Sequence, residues 1–351
     1  MSRVAVFGAS GFIGTACANA LTEAGHEVVR RPARRLRADL DMLSHPARSA
    51  LAPEPAGAGL AALVADLAGM DAVVNAAGVA TSAASLTPAL VGGNAAWPQL
   101  LADACAHAGV PRLLHVSTAA VQGRALRLDE SLDYAPVTPY ARAKMLGEQL
   151  LRDAAARGQV AVTLYRPPSV HGWGRRMTSD FAAFCRRWPL VACDSGDQPV
   201  PVALVGNVGA AVAAILAAEH APLVVAHPSE GHTVRSLYQT FAPGRPLCSL
   251  PAPAVRALLH AAEPTGQWLA PLGALCRRAE LLLLGQAQEP GWLPSVGFAP
   301  PLGRAAWDEL AAAVRAEADA AVAPRPTPGG PAAQAALVGD ESRHAPDRAA
   351  M

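Results

Sequence analysis

The sequence predicts a doubly wound α/β fold on a parallel sheet, followed by a small, mainly helical C-terminal region. Three observations carry this. A glycine-rich turn near the N-terminus joins an apolar strand-like run to a helix-like stretch. Strand-like and helix-like segments then alternate from Arg3 to about Arg166, the pattern of a parallel sheet with crossover helices. After Pro167 the alternation gives way to glycines, prolines, tryptophans and short helices, up to about Pro301. The expected organisation is a nucleotide-binding core over 1–166, a substrate-binding and capping region over 167–322 that interleaves with the end of the core, and a tail over 323–351. The tail is rich in Pro, Ala and Gly with few large apolar residues, so it is expected to be disordered.

The elements follow in order. Val4-Ala5-Val6-Phe7 reads as a short buried strand. Gly8-Ala9-Ser10-Gly11-Phe12-Ile13-Gly14 comes next, then an apolar helix over Thr15–Ala24. In this setting Gly8 allows the tight turn, Gly11 lets the backbone approach a pyrophosphate, and Gly14 lets the helix pack close to the strand. The free N–H groups of the helix N-terminus face the phosphates. The spacing is G-x-x-G-x-x-G rather than the general G-x-G-x-x-G. Further strands are expected at Glu27–Arg30, Asp71–Asn75, Leu113–Ser117 and Val160–Tyr165, and helices at Pro98–Ala108 and Tyr140–Arg157. Pro46–Gly59 reads as a long loop or insertion, and a last helix runs from about Arg304 to Ala320.

With 351 residues and 52% hydrophobic content, the chain can bury a large core. A net charge of +1 argues against binding nucleic acid through bulk electrostatics. The six cysteines lie far apart with no C-x-x-C pair, as reduced thiols of a cytoplasmic protein do. No signal peptide and no apolar stretch of membrane-spanning length is read. The histidines and acids form no metal-ligand pattern, so no metal is expected.

A second signal is Tyr140-Ala-Arg-Ala-Lys144. Thr138 can cap this helix and Pro139 fits its first position. Residues four apart share a helix face, so Tyr140 and Lys144 point the same way. A phenol, with a reference pKa near 10, is a poor base at neutral pH. A nearby ammonium and a cationic nicotinamide favour its phenolate, which can then exchange a proton with a carbonyl or alcohol oxygen. Before it, His115-Val-Ser-Thr-Ala-Ala-Val-Gln-Gly123 places Ser117 and Thr118 at the carboxyl end of a strand, where open α/β sheets bind ligands.

Together these segments resemble the extended short-chain dehydrogenase/reductases, also called the NAD-dependent epimerase/dehydratase family. The resemblance runs in order through Gly8–Gly14, Asn75-Ala-Ala-Gly78, Asn94–Cys105, Ser117–Gly123, Tyr140–Lys144 and Arg166-Pro-Pro-Ser-Val-His-Gly172. It implies a Rossmann-type core, Tyr140 as catalytic acid/base, Lys144 on the nicotinamide ribose, Thr118 as the catalytic hydroxyl and Asn94 as a structural asparagine. Cofactor contacts are expected from Gly8, Ser10, Gly11, Phe12, Ile13, Gly14, Ala76, Ala77, Gly78, Asn94, Lys144 and Pro167. Substrate contacts are expected from Ser117, Ser169 and His171.

The departures from the family bear on substrate. Ser169 and His171 stand where nucleotide-sugar enzymes usually carry Asn and Tyr. Val200 aligns with a phosphate-binding Arg, and Asn207 with an Asp. Ala119 and Ala120 replace the acid pair of the 4,6-dehydratases. Trp173, Phe181, Phe184 and Trp188 follow in the region expected to line the pocket. These features favour the reductase and hydroxysteroid-dehydrogenase-like branch: an oxidoreductase acting on a carbonyl or secondary alcohol of a mainly apolar small molecule. A sugar epimerase is the alternative, and a non-catalytic NADP sensor a third reading. At the end of the second strand, Val28-Val-Arg-Arg has no acid, so Arg30 and Arg31 are expected to take a 2′-phosphate and favour NADP(H) over NAD(H). Asp39 and Leu40 are expected along the adenine. The expected partners are a small-molecule substrate and a second copy in a homodimer.

Overall fold

The computed structural model describes residues 1–38, 56–80, 85–257 and 280–322. A six-stranded parallel sheet forms the core. Its strands are β1 (Arg3–Phe7), β2 (Glu27–Arg31), β3 (Ala72–Asn75), β4 (Arg112–Val116), β6 (Ala161–Arg166) and β10 (Val224–Ala226), in the spatial order β10-β6-β4-β3-β1-β2. The chain steps from β1 to β2 on one side, then crosses to β3 on the other. That reversal, between β1 and β3, is the switch point of a Rossmann-type fold, and ligands bind there at the carboxyl ends.

Both faces of the sheet are covered, which is why β1 reads as a continuous apolar run. Val4 and Val6 face a core with Cys17 and Leu21 of α1 (Phe12–Glu23), Val208 and Val212 of α7 (Val205–Ala217) and Leu293 of α9 (Trp292–Ser295). Ala5 and Phe7 face the opposite core. There Leu63 and Leu67 of α2 (Ala56–Leu67), Trp97 and Leu101 of α4 (Trp97–Ala108), and Leu151 of α5 (Pro139–Ala156) pack together. A short α3 (Pro88–Val91) runs into α4 through a π turn at Gly92–Ala96.

A second lobe carries its own core. Helices α6 (Arg176–Arg187), α8 (Val234–Phe241) and α10 (Arg304–Val322) pack Cys185, Leu237, Phe241 and Trp307 around β8 (Leu190–Cys193) and β9 (Val202–Leu204). Three two-stranded parallel pairs complete it: β7 (Ser169–His171) with β9, β8 with β11 (Leu247–Leu250), and β5 (Arg127–Leu128) with β12 (Ala287–Gln288). No helix among the described residues is long and apolar enough to cross a membrane.

One expectation needs correcting. The segment 46–59 is not all loop, because α2 begins at Ala56 and buries Leu63 and Leu67. Beyond residue 166, β10 returns to the core sheet as its sixth strand. The tail from 323, together with Asp39 and Leu40, lies outside the described residues.

Close backbone approach fixes how α5 sits. A Cβ added at Gly147 would stand 2.1 Å from the Asn94 carbonyl oxygen in the π turn. Backbone on both sides leaves no soft neighbour to yield. Gly147→Ala is therefore expected to destabilise the fold by about 1–3 kcal/mol, read from urea unfolding. A loss below about 0.5 kcal/mol, the scatter of surface changes, would show that α5 shifts freely.

Candidate active site

The crevice is built at the carboxyl ends of β1, β3, β4 and β6. After β1, Gly8 takes φ +79°, and a Cβ there would lie 2.7 Å from the Ala77 nitrogen. Gly11 donates its N–H to the Gly8 carbonyl at 2.9 Å, and Thr15 Oγ1 donates to the Ala9 carbonyl at 3.0 Å. A Cβ at Gly14 would meet the Gly8 oxygen at 2.0 Å, so only glycine lets α1 start this close to the strand. Gly11 caps α1 with no side-chain bond to the first-turn N–H groups. Ser10 and Gly11 are exposed, while Phe12 and Ile13 are half-buried. These open donors at a helix N-terminus suit a pyrophosphate.

The loop after β3 forms the second wall. Asn75 Oδ1 accepts from the Ala77 N–H and from Trp97 Nε1, both at 3.2 Å, and its amide donates to His115 Nδ1 at 3.0 Å. Asn94 donates to the Val79 carbonyl at 2.9 Å and accepts from the Val79 N–H at 3.2 Å. Asn94 is buried with both polar ends engaged on Val79, so it shapes the loop. Gly78 is exposed, and a Cβ on it would lie 2.7 Å from Asn94 Oδ1 and 3.2 Å from Lys144 Nζ. Ala76 and Ala77 lead into this cradle.

The third wall holds Thr118, Tyr140 and Lys144. Thr118 caps a 3-10 turn at Ala119–Gln122, its Oγ1 accepting the Ala120 N–H at 3.2 Å. Its own hydroxyl hydrogen stays available to a ligand. The Pro167 carbonyl accepts the Ala119 N–H at 2.9 Å and ties this turn to the end of β6. Thr138 caps α5 through the Ala141 N–H at 3.1 Å, with Pro139 as the first helical residue. Tyr140 and Lys144 therefore stand one turn apart on one face. Lys144 is buried and donates to the Val116 carbonyl at 2.9 Å. Desolvation lowers its pKa to about 8, with Glu148 acting to raise it. Desolvation pushes the Tyr140 phenol up to about 12, and the charge of Arg175 opposes that rise.

Arg175 carries no motif that sequence reading could use. Its guanidinium lies 5.1 Å from the Phe12 ring centroid, over the start of α1. Arg30 is exposed and donates to Asn19 Oδ1 at 2.8 Å and to the Ala9 carbonyl at 3.4 Å, so it leans over the glycine turn. Arg31 is half-buried, and its Nε has no partner.

The substrate residues fare differently. Ser117 is 3% exposed and donates to Glu148 Oε1 at 2.5 Å, so its hydroxyl is committed inside the protein. His171 is also turned inward. Its Nδ1 meets Thr178 Oγ1 at 3.3 Å, and its ring packs 5.5 Å from Trp307 and 6.1 Å from Phe181. Desolvation lowers its pKa to about 4. Both depart from the expected substrate contacts. Ser169 is exposed, with its Oγ 3.5 Å from Met177 Sδ. The expected apolar wall also changes. Phe181 and Phe184 pack on the second-lobe core and Val200 is buried within it, while Trp173 and Trp188 are exposed. Asn207 spends its amide on the Leu302 backbone, at 2.9 and 2.8 Å.

The profile of the NAD-dependent epimerase/dehydratase family matches residues 4–225. Over 179 residues the chain is 34% identical to a UDP-glucose 4-epimerase of Azospirillum brasilense, covering 46% of this chain and 47% of that protein. The chain thus spans about half the length of the curated relative it matches. Among solved structures, UDP-glucuronic acid 4-epimerase from Bacillus cereus, in complex with UDP-glucuronic acid and NAD, has a TM-score of 0.59 at 16% identity, covering 90% of this chain and 99% of its own. UDP-N-acetylglucosamine 4-epimerase from Bacillus cereus has a TM-score of 0.59 at 14% identity, over 90% and 100% of the two chains. At such identities the likeness concerns the fold. The match over 4–225 takes in the glycine turn, the loop after β3 and the Tyr140–Lys144 helix, and the chain belongs to the NAD-dependent epimerase/dehydratase family.

Proposed function

We propose that the chain is an enzyme that oxidises a secondary alcohol of a nucleotide sugar with a nicotinamide cofactor, in the manner of a 4-epimerase, using Thr118, Tyr140 and Lys144. The observation that carries this reading is the convergence of the Thr118 hydroxyl, the Tyr140–Lys144 face and the Gly78 cradle at one end of the sheet. The identity to a UDP-glucose 4-epimerase supports the substrate class. Burial of Val200, Phe181 and Phe184 in or against a separate core removes the main support for a hydrophobic substrate. Dehydration is disfavoured, because Ala119 and Ala120 offer no carboxyl group.

The chain's own residues divide the work. The open N–H groups from Phe12 to Gly14 suit the pyrophosphate of the cofactor, and Ala76, Ala77, Gly78 and Pro167 border its nicotinamide half. When bound, the nicotinamide supplies the place where a hydride is taken up and given back. Tyr140 exchanges the proton of the substrate hydroxyl, which Thr118 holds by donating its own hydrogen. Lys144 uses one N–H on Val116 and keeps two for the ribose. The charge of Arg175 favours the phenolate that desolvation opposes, and a protonated Lys144 acts in the same sense.

A net NADP(H)-linked oxidoreductase of small carbonyl compounds is the second reading. The observation that favours it is the basic end of β2, where Arg30 and Arg31 stand with no acid.

Incubation with UDP-glucose is expected to yield UDP-galactose without build-up of reduced cofactor, followed by proton NMR. Reduced cofactor accumulating in step with lost substrate would favour the second reading. In the same assay Tyr140→Phe is expected to lose about 10²–10⁴-fold in rate, with cofactor affinity little changed. More than about a tenth of the wild-type rate would remove Tyr140 from the proton role.

The basic strand end is expected to prefer NADPH over NADH. Arg30→Ala/Arg31→Ala is expected to weaken NADPH binding by about 10- to 100-fold and spare NADH, by calorimetric titration of each. Equal affinities in the wild type, or equal losses in the variant, would refute the 2′-phosphate role.

A further inference from the structure

Lys144 is the single lysine of a chain that holds 28 arginines. One turn beyond it on α5, Glu148 is fully buried and joined to Ser117 after β4 and Arg166 on β6. Arg166 Nε lies 3.1 and 3.2 Å from the two Glu148 oxygens, and Nη2 lies 2.6 Å from Oε2. The two side chains are 1% and 0% exposed. Ser117 donates to the same carboxylate, Arg166 Nη1 donates to the Ser131 carbonyl at 2.7 Å, and the Tyr134 ring lies 5.5 Å from the guanidinium carbon.

Three members of this cluster are chain neighbours of a site residue. Ser117 precedes Thr118 on the way out of β4. Arg166 ends β6 and precedes Pro167. Glu148 follows Lys144 by one turn. A buried ion pair is weak evidence of a stabilising role, since apolar replacements of both partners are often as stable. What a fully hydrogen-bonded pair fixes is geometry.

We propose that Glu148 and Arg166, with Ser117, are positioning residues that fix Lys144 and Thr118 relative to each other across β4, β6 and α5. The proposal rests on the reading of Thr118, Tyr140 and Lys144 as the reacting set. Glu148 has a second effect, through charge. The titratable and charged groups around Lys144 are Tyr140 and Glu148 on its own helix, His115 on β4 and Arg166 on β6. Burial and the Lys144 charge hold His115 neutral. Glu148 works against desolvation to keep Lys144 protonated. Removing its charge lowers the lysine pKa, so a rate that needs the ammonium falls at lower pH.

The single lysine makes this measurable without substrate. In protein grown with isotope-labelled lysine, one side-chain NMR signal reports Lys144. Its midpoint is expected near pH 8 in the wild type. In Glu148→Gln the midpoint is expected to drop by about one unit or more, and the alkaline fall of kcat with it. An unchanged midpoint in the folded variant overturns the charge effect. Glu148→Gln/Arg166→Met removes both charges and avoids a lone buried guanidinium. It is expected to fold and bind cofactor as the wild type does, with KM little changed and kcat lower by about tenfold or more. A folded double variant with kcat within about threefold of wild type overturns the positioning role. Ser117→Ala keeps the ion pair and decides the matter if the charge variants fail to fold. A kcat lowered by about threefold or more supports positioning, and an unchanged kcat overturns it. Full activity of Tyr140→Phe would instead sink the reacting-set reading, while the lysine midpoint would still report on Glu148.

Discussion

Backbone held against backbone is the constraint on which the rest of the molecule depends. The first turn of α1 sits over the Gly8 carbonyl because Gly14 has no Cβ, which would otherwise stand 2.0 Å away. A Cβ at Gly209 of α7 would lie 2.6 Å from the Ala16 carbonyl oxygen of α1, so those two helices meet as closely. Gly147 does the same between α5 and the π turn that holds Asn94. These contacts set the spacing of the layers. They also place the open N–H groups of α1, the Gly78 loop and the Tyr140–Lys144 face around one crevice.

The site lies where that close packing makes charge expensive. Desolvation acts on Tyr140 and Lys144 in the same sense, pushing the phenol up and the ammonium down, so both groups favour their neutral forms. Two charges work against it. Arg175 acts on the phenol from the far side of the crevice, and Glu148 acts on the lysine from within the helix. The proton chemistry of the proposed reaction therefore depends on groups outside the reacting set. Glu148 in turn needs Arg166, for a lone buried carboxylate would take up a proton and lose its effect.

Most of the fold was legible in the sequence because its signals are local. The glycine turn, the buried strands and the Thr138-Pro139 start of α5 each lie within a few adjacent residues, and the structure forms an element at each. What escaped has a physical reason. The α2 helix begins inside a stretch rich in Pro, Ala and Gly, where composition suggests a loop, yet tertiary burial of Leu63 and Leu67 settles it as a helix. The sixth strand, Val224–Ala226, is too short to stand out and exists because β6 offers it an edge. Within the site, Thr118, Tyr140 and Lys144 sit in recognisable spacings. Glu148 and Arg175 act on Lys144 and Tyr140 through space, and no spacing marks them.

The inward-turned residues show where such reading stops. Ser117 and His171 stand at strand ends, as ligand-binding residues do, but position along a strand does not fix which side of the sheet a side chain serves. Ser117 turns to the Glu148 carboxylate, and His171 to Trp307 and Phe181. The aromatics after Trp173 follow the same logic. A region that supplies a second core must bury its own Phe and Trp residues, and here Phe181, Phe184, Phe241 and Trp307 pack in or against one cluster among α6, α8 and α10. Counting aromatics near a site therefore measures the lobe's need to fold before it measures the taste of its pocket. Beside the apolar Phe12, Ala76, Ala77 and Pro167, the crevice presents the first-turn N–H donors of α1, Thr118, Tyr140, Lys144 and Arg175. In the proposed function these donors suit the phosphate and hydroxyl oxygens of a nucleotide sugar, which an apolar wall would leave desolvated.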